Sequence, residues 1–220
     1  ARLKSELADA EMEHTSYSVY QTRAVRQPQW HSRAAGEMIG YPPMIEFLTD
    51  LMGPDIVFTR GFFQRTLPGS PGISMHTDGQ PHGSNLFGYE GSCPRLVRVL
   101  YYLDELTAER TPFRIIPRSH ISFHAEASPY VRYKSHPEEI TLVVPARSAV
   151  VVPSLLLHGS HPNKNSKPCE LVQLGYRPAW AGPTGPVEEW DSELVAAAPE
   201  IAKPFLQSLN TTGHAWEQPQ

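Results

Sequence analysis

The segment from Met75 to His82, MHTDGQPH, contains two residues that could bind a metal ion together. His76 and Asp78 lie two positions apart, a spacing that places both side chains on one face of an extended strand. An imidazole and a carboxylate on one face supply two ligands of the 2-His-1-carboxylate triad, which leaves open positions on non-heme Fe(II). A His-x-Asp triplet alone is weak evidence, so a metal site here requires a third ligand from elsewhere in the chain.

The candidate for the third ligand is His158, which follows an apolar run in SLLLHGSHPN. A histidine in such a place is more often a core residue whose ring bonds a backbone carbonyl. The residues around His158 therefore decide between the two interpretations.

Composition excludes several classes of protein. The chain has 220 residues, of which 40% are hydrophobic and 19% charged, as expected of a globular protein with one domain. Its net charge of −4 gives no sign of a nucleic-acid partner, and no apolar run reaches the roughly 18 residues of a membrane span. Two cysteines are too few for a disulfide scaffold, so we expect a cytoplasmic protein.

The order of elements predicts a β-rich core with flanking helices. Residues 1–13 and 32–52 have helical composition, residues 14–32 show no clear period, and residues 181–220 become helical again. Between them, β-branched and aromatic runs alternate with Gly, Pro, Ser and Asn clusters, which indicates a sandwich or jelly roll. The predicted strands are 56–67, 72–78, 95–106, 113–117, 138–146, 148–154 and 170–180. We therefore predict an N-terminal helical segment (1–55), a core (56–180) and a C-terminal helical extension (181–220) within one domain.

Four stretches together resemble the phytanoyl-CoA dioxygenase-like family of Fe(II)- and 2-oxoglutarate-dependent oxygenases. They are MHTDGQPH, VRVLYYLDELTAERTPFRIIPRSH (97–120), ARSAVVVPSLLLHGSHPN (146–163) and ELVQLGYRPAW (170–180). The resemblance implies a double-stranded β-helix (a cupin-like jelly roll), with Fe(II) bound by His76, Asp78 and His158. It also implies 2-oxoglutarate and O₂ as co-substrates.

The chain departs from the family at the residue that holds the far carboxylate of 2-oxoglutarate. The family usually has an arginine eleven residues after the second histidine, and this chain has Cys169. A thiol cannot replace a guanidinium that pairs bidentately with a carboxylate. We expect Arg98 or Lys167 to supply the positive charge, with Arg118 as a third choice.

Two further residues are expected to contact the co-substrate. Ser160 matches the family's Gly-Ser hydroxyl near the far carboxylate of 2-oxoglutarate. Gln64 lies on the strand before the metal-binding segment, and topology alone suggests that it reaches the end of 2-oxoglutarate that chelates the metal. Residues 79–92 are expected to form a lid, and Arg132 and Tyr133 to add to the substrate pocket.

Three functions are compatible with these residues. The first is hydroxylation of a small organic molecule with release of succinate and CO₂; Asp78 favours this over the related halogenases, which leave the carboxylate position free for a halide. The second is a non-catalytic metal- or ligand-binding homologue that has lost 2-oxoglutarate binding through Cys169. The third is a cupin-like isomerase that uses the metal without an oxo acid.

Overall fold

Two antiparallel β-sheets form the centre of the molecule. The computed structural model describes residues 2–14, 22–78, 94–121, 135–183 and 187–213. The strands are β1 (Glu13–His14), β2 (Thr22–Arg26), β3 (Ile56–Thr66), β4 (Ile73–His76), β5 (Val97–Tyr102), β6 (Phe113–Ile115), β7 (Ile140–Leu142), β8 (Ser148–Pro153), β9 (His158–Ser160) and β10 (Cys169–Pro178). The large sheet has the order β1-β2-β3-β10-β5-β8 and the small sheet the order β4-β9-β6-β7. The predicted double-stranded β-helix is confirmed.

Helices flank the sheets and follow their sequence signals. They are α1 (Arg2–Glu6), α2 (Arg33–Ile39), α3 (Pro42–Met52) and α4 (Ser192–Ala197). Ser32 caps α2 by accepting a hydrogen bond from the Ala35 N–H, and Pro42 fits the first turn of α3, where its missing N–H has no helical partner to lose. Gly53 ends α3 with a positive φ of 88°.

The outer face of the large sheet packs against the helices and against described residues near both ends of the chain, among them Leu3 and Leu206. Apolar side chains alternate along the strands of this face, as the two-residue period of a strand requires. The resulting core includes residues of all three predicted segments, namely Leu7, Ile39, Leu48, Phe58, Val99, Val172, Leu174, Tyr176, Ala202 and Leu206. The C-terminal segment therefore takes part in the main hydrophobic core.

The inner face of the large sheet points toward the small sheet. Its residues stand in rows across three strands: Arg98 and Arg60 flank Gly175, and further along Gln64 and Tyr102 flank Leu171. A second hydrophobic cluster fills the space between the sheets at one end, with members Leu100, Tyr102, Leu106, Phe113, Val152, Leu156 and Cys169. The opposite end of the inner face carries the charged residues.

Three sequence-based predictions of secondary structure were wrong. The helix predicted over 1–13 ends at Glu6, and residues 22–26, predicted to be irregular, form a strand that pairs with β3. Between α4 and Gly213, where the described tail ends, helical structure is limited to a short 3₁₀ turn, Lys203–Phe205, because Pro199 and Pro204 interrupt helical hydrogen bonding.

Some predictions fall on residues that the structure does not describe. The lid predicted at 79–92 and the pocket residues Arg132 and Tyr133 lie outside the described ranges. Within those ranges, no helix has the length and apolar character that crossing a membrane requires.

Candidate metal centre

The pairing of β4 with β9 brings the two predicted histidine ligands together. His76 at the end of β4 lies opposite His158 at the start of β9, and the ring centroids are 4.4 Å apart. Gly159 permits this close pairing, since a Cβ there would lie 2.6 Å from the carbonyl oxygen of Ile73. Asp78 follows β4, and its backbone N–H donates a 2.6 Å hydrogen bond to the Ser154 carbonyl.

The three predicted ligands form one compact group. One ligand atom from each of His76, Asp78 and His158 lies within 4.8 Å of the others. The Nε2 atoms of His76 and His158 are each 3.8 Å from a different carboxylate oxygen of Asp78. Two imidazoles and one carboxylate are the donor set of the facial triad, so the residues present suit non-heme iron.

Backbone carbonyls fix the orientation of both imidazoles. His76 Nδ1 lies 2.8 Å from the Ser74 carbonyl oxygen, and His158 Nδ1 lies 2.8 Å from that of Leu156. A carbonyl only accepts hydrogen bonds, so each Nδ1 carries the proton and each Nε2 keeps its lone pair. Histidine ligands of metals are commonly oriented in this way.

Arg98 forms a buried ion pair with the carboxylate of the triad. Its Nε donates to Asp78 Oδ2 at 3.0 Å, and the arginine is 4% exposed. Burial alone would raise the pKa of Asp78, but the positive charge of Arg98, together with His158 and His76, holds it below the usual value. Burial, aided by His76, lowers the pKa of His158 to about 4. The triad is therefore an ionised carboxylate with a neutral buried imidazole, the protonation states that metal ligation requires.

The residues predicted to contact 2-oxoglutarate lie in different places. Arg98 lies beside the triad, and Ser160 lies two residues beyond His158, where its hydroxyl accepts a 3.1 Å hydrogen bond from the Ile73 N–H. Gln64 stands two rows away from Arg98 on the inner face of β3. Lys167 is exposed and precedes β10, so it is not on the strand as its predicted role required. Arg118, the third choice, follows β6 with a positive φ of 63°.

Cys169 begins β10 at the apolar end of the space between the sheets. It is 3% exposed and packs within the cluster that includes Leu100 and Phe113. Burial raises the pKa of its thiol to about 11. The side chain at the position of the family's usual arginine is therefore uncharged in this protein, although Arg110 and Asp104 lie close enough to act on it.

Thr59 and Gly175 were missed by sequence reasoning. Both lie next to Arg98, at a register shift between β3 and β10. A glycine within a strand often marks a bulge or a close approach of another group, and this signal in LVQLGYRP (171–178) would have indicated the position.

The fold and the triad define a class of protein, the double-stranded β-helix proteins with a candidate 2-His-1-carboxylate centre. The sequence profile of the phytanoyl-CoA dioxygenase (PhyH) family matches residues 7–169. The chain belongs to this family, whose members use Fe(II), 2-oxoglutarate and O₂. No curated protein sequence matches the chain significantly.

Solved structures with the same fold include metal-dependent enzymes. HygX from Streptomyces hygroscopicus, solved with nickel and 2-oxoglutarate, has a TM-score of 0.68 at 16% identity, covering 87% of this chain and 82% of HygX. The 2-oxoglutarate-dependent epimerase SnoN of nogalamycin biosynthesis has a TM-score of 0.65 at 16% identity, covering 87% and 74%. The nickel complex of the non-heme monooxygenase ThoJ has a TM-score of 0.60 at 16% identity, covering 86% and 69%. At these identities the likeness establishes the fold.

Proposed function

We propose that this protein is an Fe(II)- and 2-oxoglutarate-dependent dioxygenase that hydroxylates a small organic molecule and releases succinate and CO₂. The observation that carries the proposal is the compact group formed by His76, Asp78 and His158, whose ligand atoms lie within 4.8 Å of one another. The membership of the chain in the PhyH family gives this group its expected metal.

Each residue of the triad has a defined part in the proposed site. His76 and His158 would hold the metal through Nε2, because their Nδ1 atoms are bonded to carbonyls. Asp78 would supply the carboxylate, oriented by Arg98 through the bond to Oδ2. When bound, Fe(II) with 2-oxoglutarate and O₂ would supply the oxidising chemistry, and the protein would position the substrate and exclude water.

The proposed substrate class is supported by what related folds bind. HygX has been solved with hygromycin B, and SnoN with nogalamycin RO. Both ligands are small organic molecules rather than proteins or nucleic acids, and the charge of this chain gives no sign of a polyanionic partner. Asp78 favours hydroxylation over halogenation, but SnoN is an epimerase, so hydroxylation is tested separately from co-substrate binding.

One observation favours a second candidate function. Cys169 lies in an apolar cluster at the position of the family's carboxylate-binding arginine. A homologue that binds metal or ligand without catalysis would have this feature if no other residue held 2-oxoglutarate. An iron-loaded protein that never binds 2-oxoglutarate would support that candidate.

The test of the proposed function is an anaerobic titration of the Fe(II)-loaded protein with 2-oxoglutarate, followed by the visible charge-transfer band of the chelate. We expect the band in the unmodified protein and its loss in His76→Ala, with metal affinity lowered by more than about 100-fold because a direct ligand is removed. His31→Ala is the matched control, since His31 is exposed. An unchanged band in His76→Ala would show that the metal is bound elsewhere.

Hydroxylation is tested separately by product analysis. Candidate small molecules are incubated with the iron-loaded protein, 2-oxoglutarate and O₂, and products are identified by mass spectrometry. A hydroxylase adds one oxygen atom and forms one succinate per product. A product of unchanged mass would instead indicate an epimerase.

A further inference from the structure

Two buried polar atoms beside the triad have no hydrogen-bond partner within the described residues. They are Nη1 of Arg98 and Oγ1 of Thr59. Arg98 is 4% exposed and uses its Nε for Asp78. A buried donor on a charged group is costly when it is left unsatisfied, so such atoms in a native protein call for an explanation such as a ligand.

Gly175 brings these two atoms to the same point. It lies between Arg60 and Arg98 in the register of the large sheet, where the pairing of β3 with β10 shifts. A Cβ at Gly175 would lie 2.7 Å from Thr59 Oγ1 and 3.2 Å from Arg98 Nη1. The absence of a side chain at this position is therefore what leaves the two groups side by side.

The guanidinium of Arg98 brings a positive charge to this point. Its Nη1 is the atom that approaches Gly175, while its Nε is bonded to Asp78. A guanidinium N–H and a hydroxyl together form a donor pair suited to a carboxylate.

The other end of the inner face is unsuitable for a carboxylate. Cys169, Leu100, Tyr102 and Phe113 form an apolar cluster there. The nearby guanidinium of Arg110 is already bonded to the Pro168 carbonyl and to Asp104. Arg110 and Arg98 are each paired with one carboxylate, but of the two only Arg98 keeps a buried donor, Nη1, without a hydrogen-bond partner among the described residues. A carboxylate is therefore better placed beside Arg98 than beside Cys169.

We infer that Arg98 Nη1 and Thr59 Oγ1, beside Gly175, form a carboxylate subsite that holds the far carboxylate of 2-oxoglutarate in place of the missing arginine. This inference rests on the proposed function. The family's arginine would lie at the start of β10, at the position of Cys169. In this subsite the positive charge comes instead from Arg98, in the middle of the large sheet and next to Asp78. Cys169 is then compatible with co-substrate binding.

The test compares two oxo acids that share a chelating end. 2-Oxopentanoate carries a methyl group where 2-oxoglutarate has its far carboxylate. The ratio of their affinities for the Fe(II)-loaded protein therefore measures how much that carboxylate contributes to binding. Both affinities are obtained anaerobically from the charge-transfer band or by calorimetry, without turnover. We expect Thr59→Val to weaken 2-oxoglutarate about 10-fold, the effect of one lost hydrogen bond to a charged group, and to leave 2-oxopentanoate within about 2-fold.

Two further variants sharpen the comparison. Gly175→Ala should act like Thr59→Val, because its methyl group would displace Thr59 and Arg98. Thr66→Val is the matched control, since Thr66 lies on the same strand opposite Cys169, at the other end of the inner face. It should leave both affinities unchanged.

The possible results separate this inference from the proposed function. Selective weakening of 2-oxoglutarate by Thr66→Val would place the carboxylate at the Cys169 end and overturn the subsite. Equal effects of Thr59→Val on both oxo acids, or no effect on either, would also overturn it while the chelate band remained. Failure of the unmodified protein to bind either oxo acid would instead refute the proposed function.

Discussion

At the scale of single residues, Cys169 is a cysteine in a packed cluster where the family usually has an arginine. Its thiol lies in an apolar cluster and is 3% exposed. Burial raises its pKa to about 11, so little thiolate is present near neutral pH. The residue therefore behaves as a small apolar side chain rather than as a reactive nucleophile.

This protonation state predicts slow alkylation. In the native protein at pH 8, iodoacetamide should modify Cys169 at least about 100-fold more slowly than in the urea-unfolded chain, because the reagent needs both access and thiolate. Peptide-resolved mass spectrometry distinguishes Cys169 from Cys93. Equal rates in native and unfolded protein would mean that the cluster around Cys169 opens readily.

The metal triad could be predicted from the sequence, but the surroundings of Arg98 could not. Spacing identifies His76 and Asp78, which are two positions apart on one strand, and the surrounding motif identifies His158. Their role as metal ligands stays a prediction until metal binding is measured. Arg98 was predicted only as one of several cations, since the position of a side chain on a strand does not reveal what it faces. Thr59 contacts this region because of a local register shift. Gly175 signals a bulge or a close approach on β10, but not which residue of β3 lies beside it.

At the scale of elements, Glu6 joins the end of α1 to the start of α2. Its carboxylate accepts a 2.6 Å hydrogen bond from the Ser32 hydroxyl and a 3.0 Å bond from the Ala34 N–H. The Ala34 N–H, the Ser32 hydroxyl and Arg2 together lower the pKa of Glu6 to about 2. Glu6 thus satisfies a free N–H of the first turn of α2 and favours the helix dipole.

Glu6→Gln should therefore lower stability by about 1 kcal/mol at pH 7, the usual effect of losing a helix cap. The pKa of Glu6 is depressed in the folded state, so its contribution is complete above about pH 4.5 and is lost as the pH falls toward about 2. Denaturant unfolding at a series of pH values should show the difference shrinking in that range. Glu11→Gln, at an exposed position, is the control; a difference that did not change with pH would argue against this role.

Long strands were easier to predict than short ones. The runs at β3, β5, β8 and β10 carry clear β-branched and aromatic patterns, and the structure has strands there. In contrast, β9 has only three residues and no pattern of its own; its pairing with β4 and β6 creates it. β2 contains both charged and apolar residues, so its sequence has no clear strand pattern. It forms a strand through its antiparallel pairing with β3.

At the scale of the whole molecule, Arg177 connects the core to the C-terminal segment. This buried arginine donates hydrogen bonds to the carbonyls of Pro178 and Ala179 and to those of Leu209 and Thr211, at 2.8–3.3 Å. The family profile ends at Cys169, yet the residues after it supply the central strand β10 and part of the main core. The C-terminal segment is thus integral to the fold.

Arg177→Met, which keeps the aliphatic part of the side chain, should destabilise the protein by about 2–4 kcal/mol because four carbonyls, two buried and two partly buried, lose a charged donor. Urea unfolding measures the loss. Limited proteolysis should also show earlier cleavage between residues 199 and 213. Arg33→Met is the control, since the Arg33 side chain is 71% exposed, and an equal shift in both variants would contradict the role given to Arg177.

The ion pair between Arg98 and Asp78 balances the charge of the triad before any metal arrives. We therefore expect the chain to fold in a cell that is short of iron, since the carboxylate of the candidate triad already has a counter-ion. On the proposed function, iron would then enter a protein that is already folded. The amount of active enzyme would follow the iron supply of the cell rather than the rate of protein synthesis.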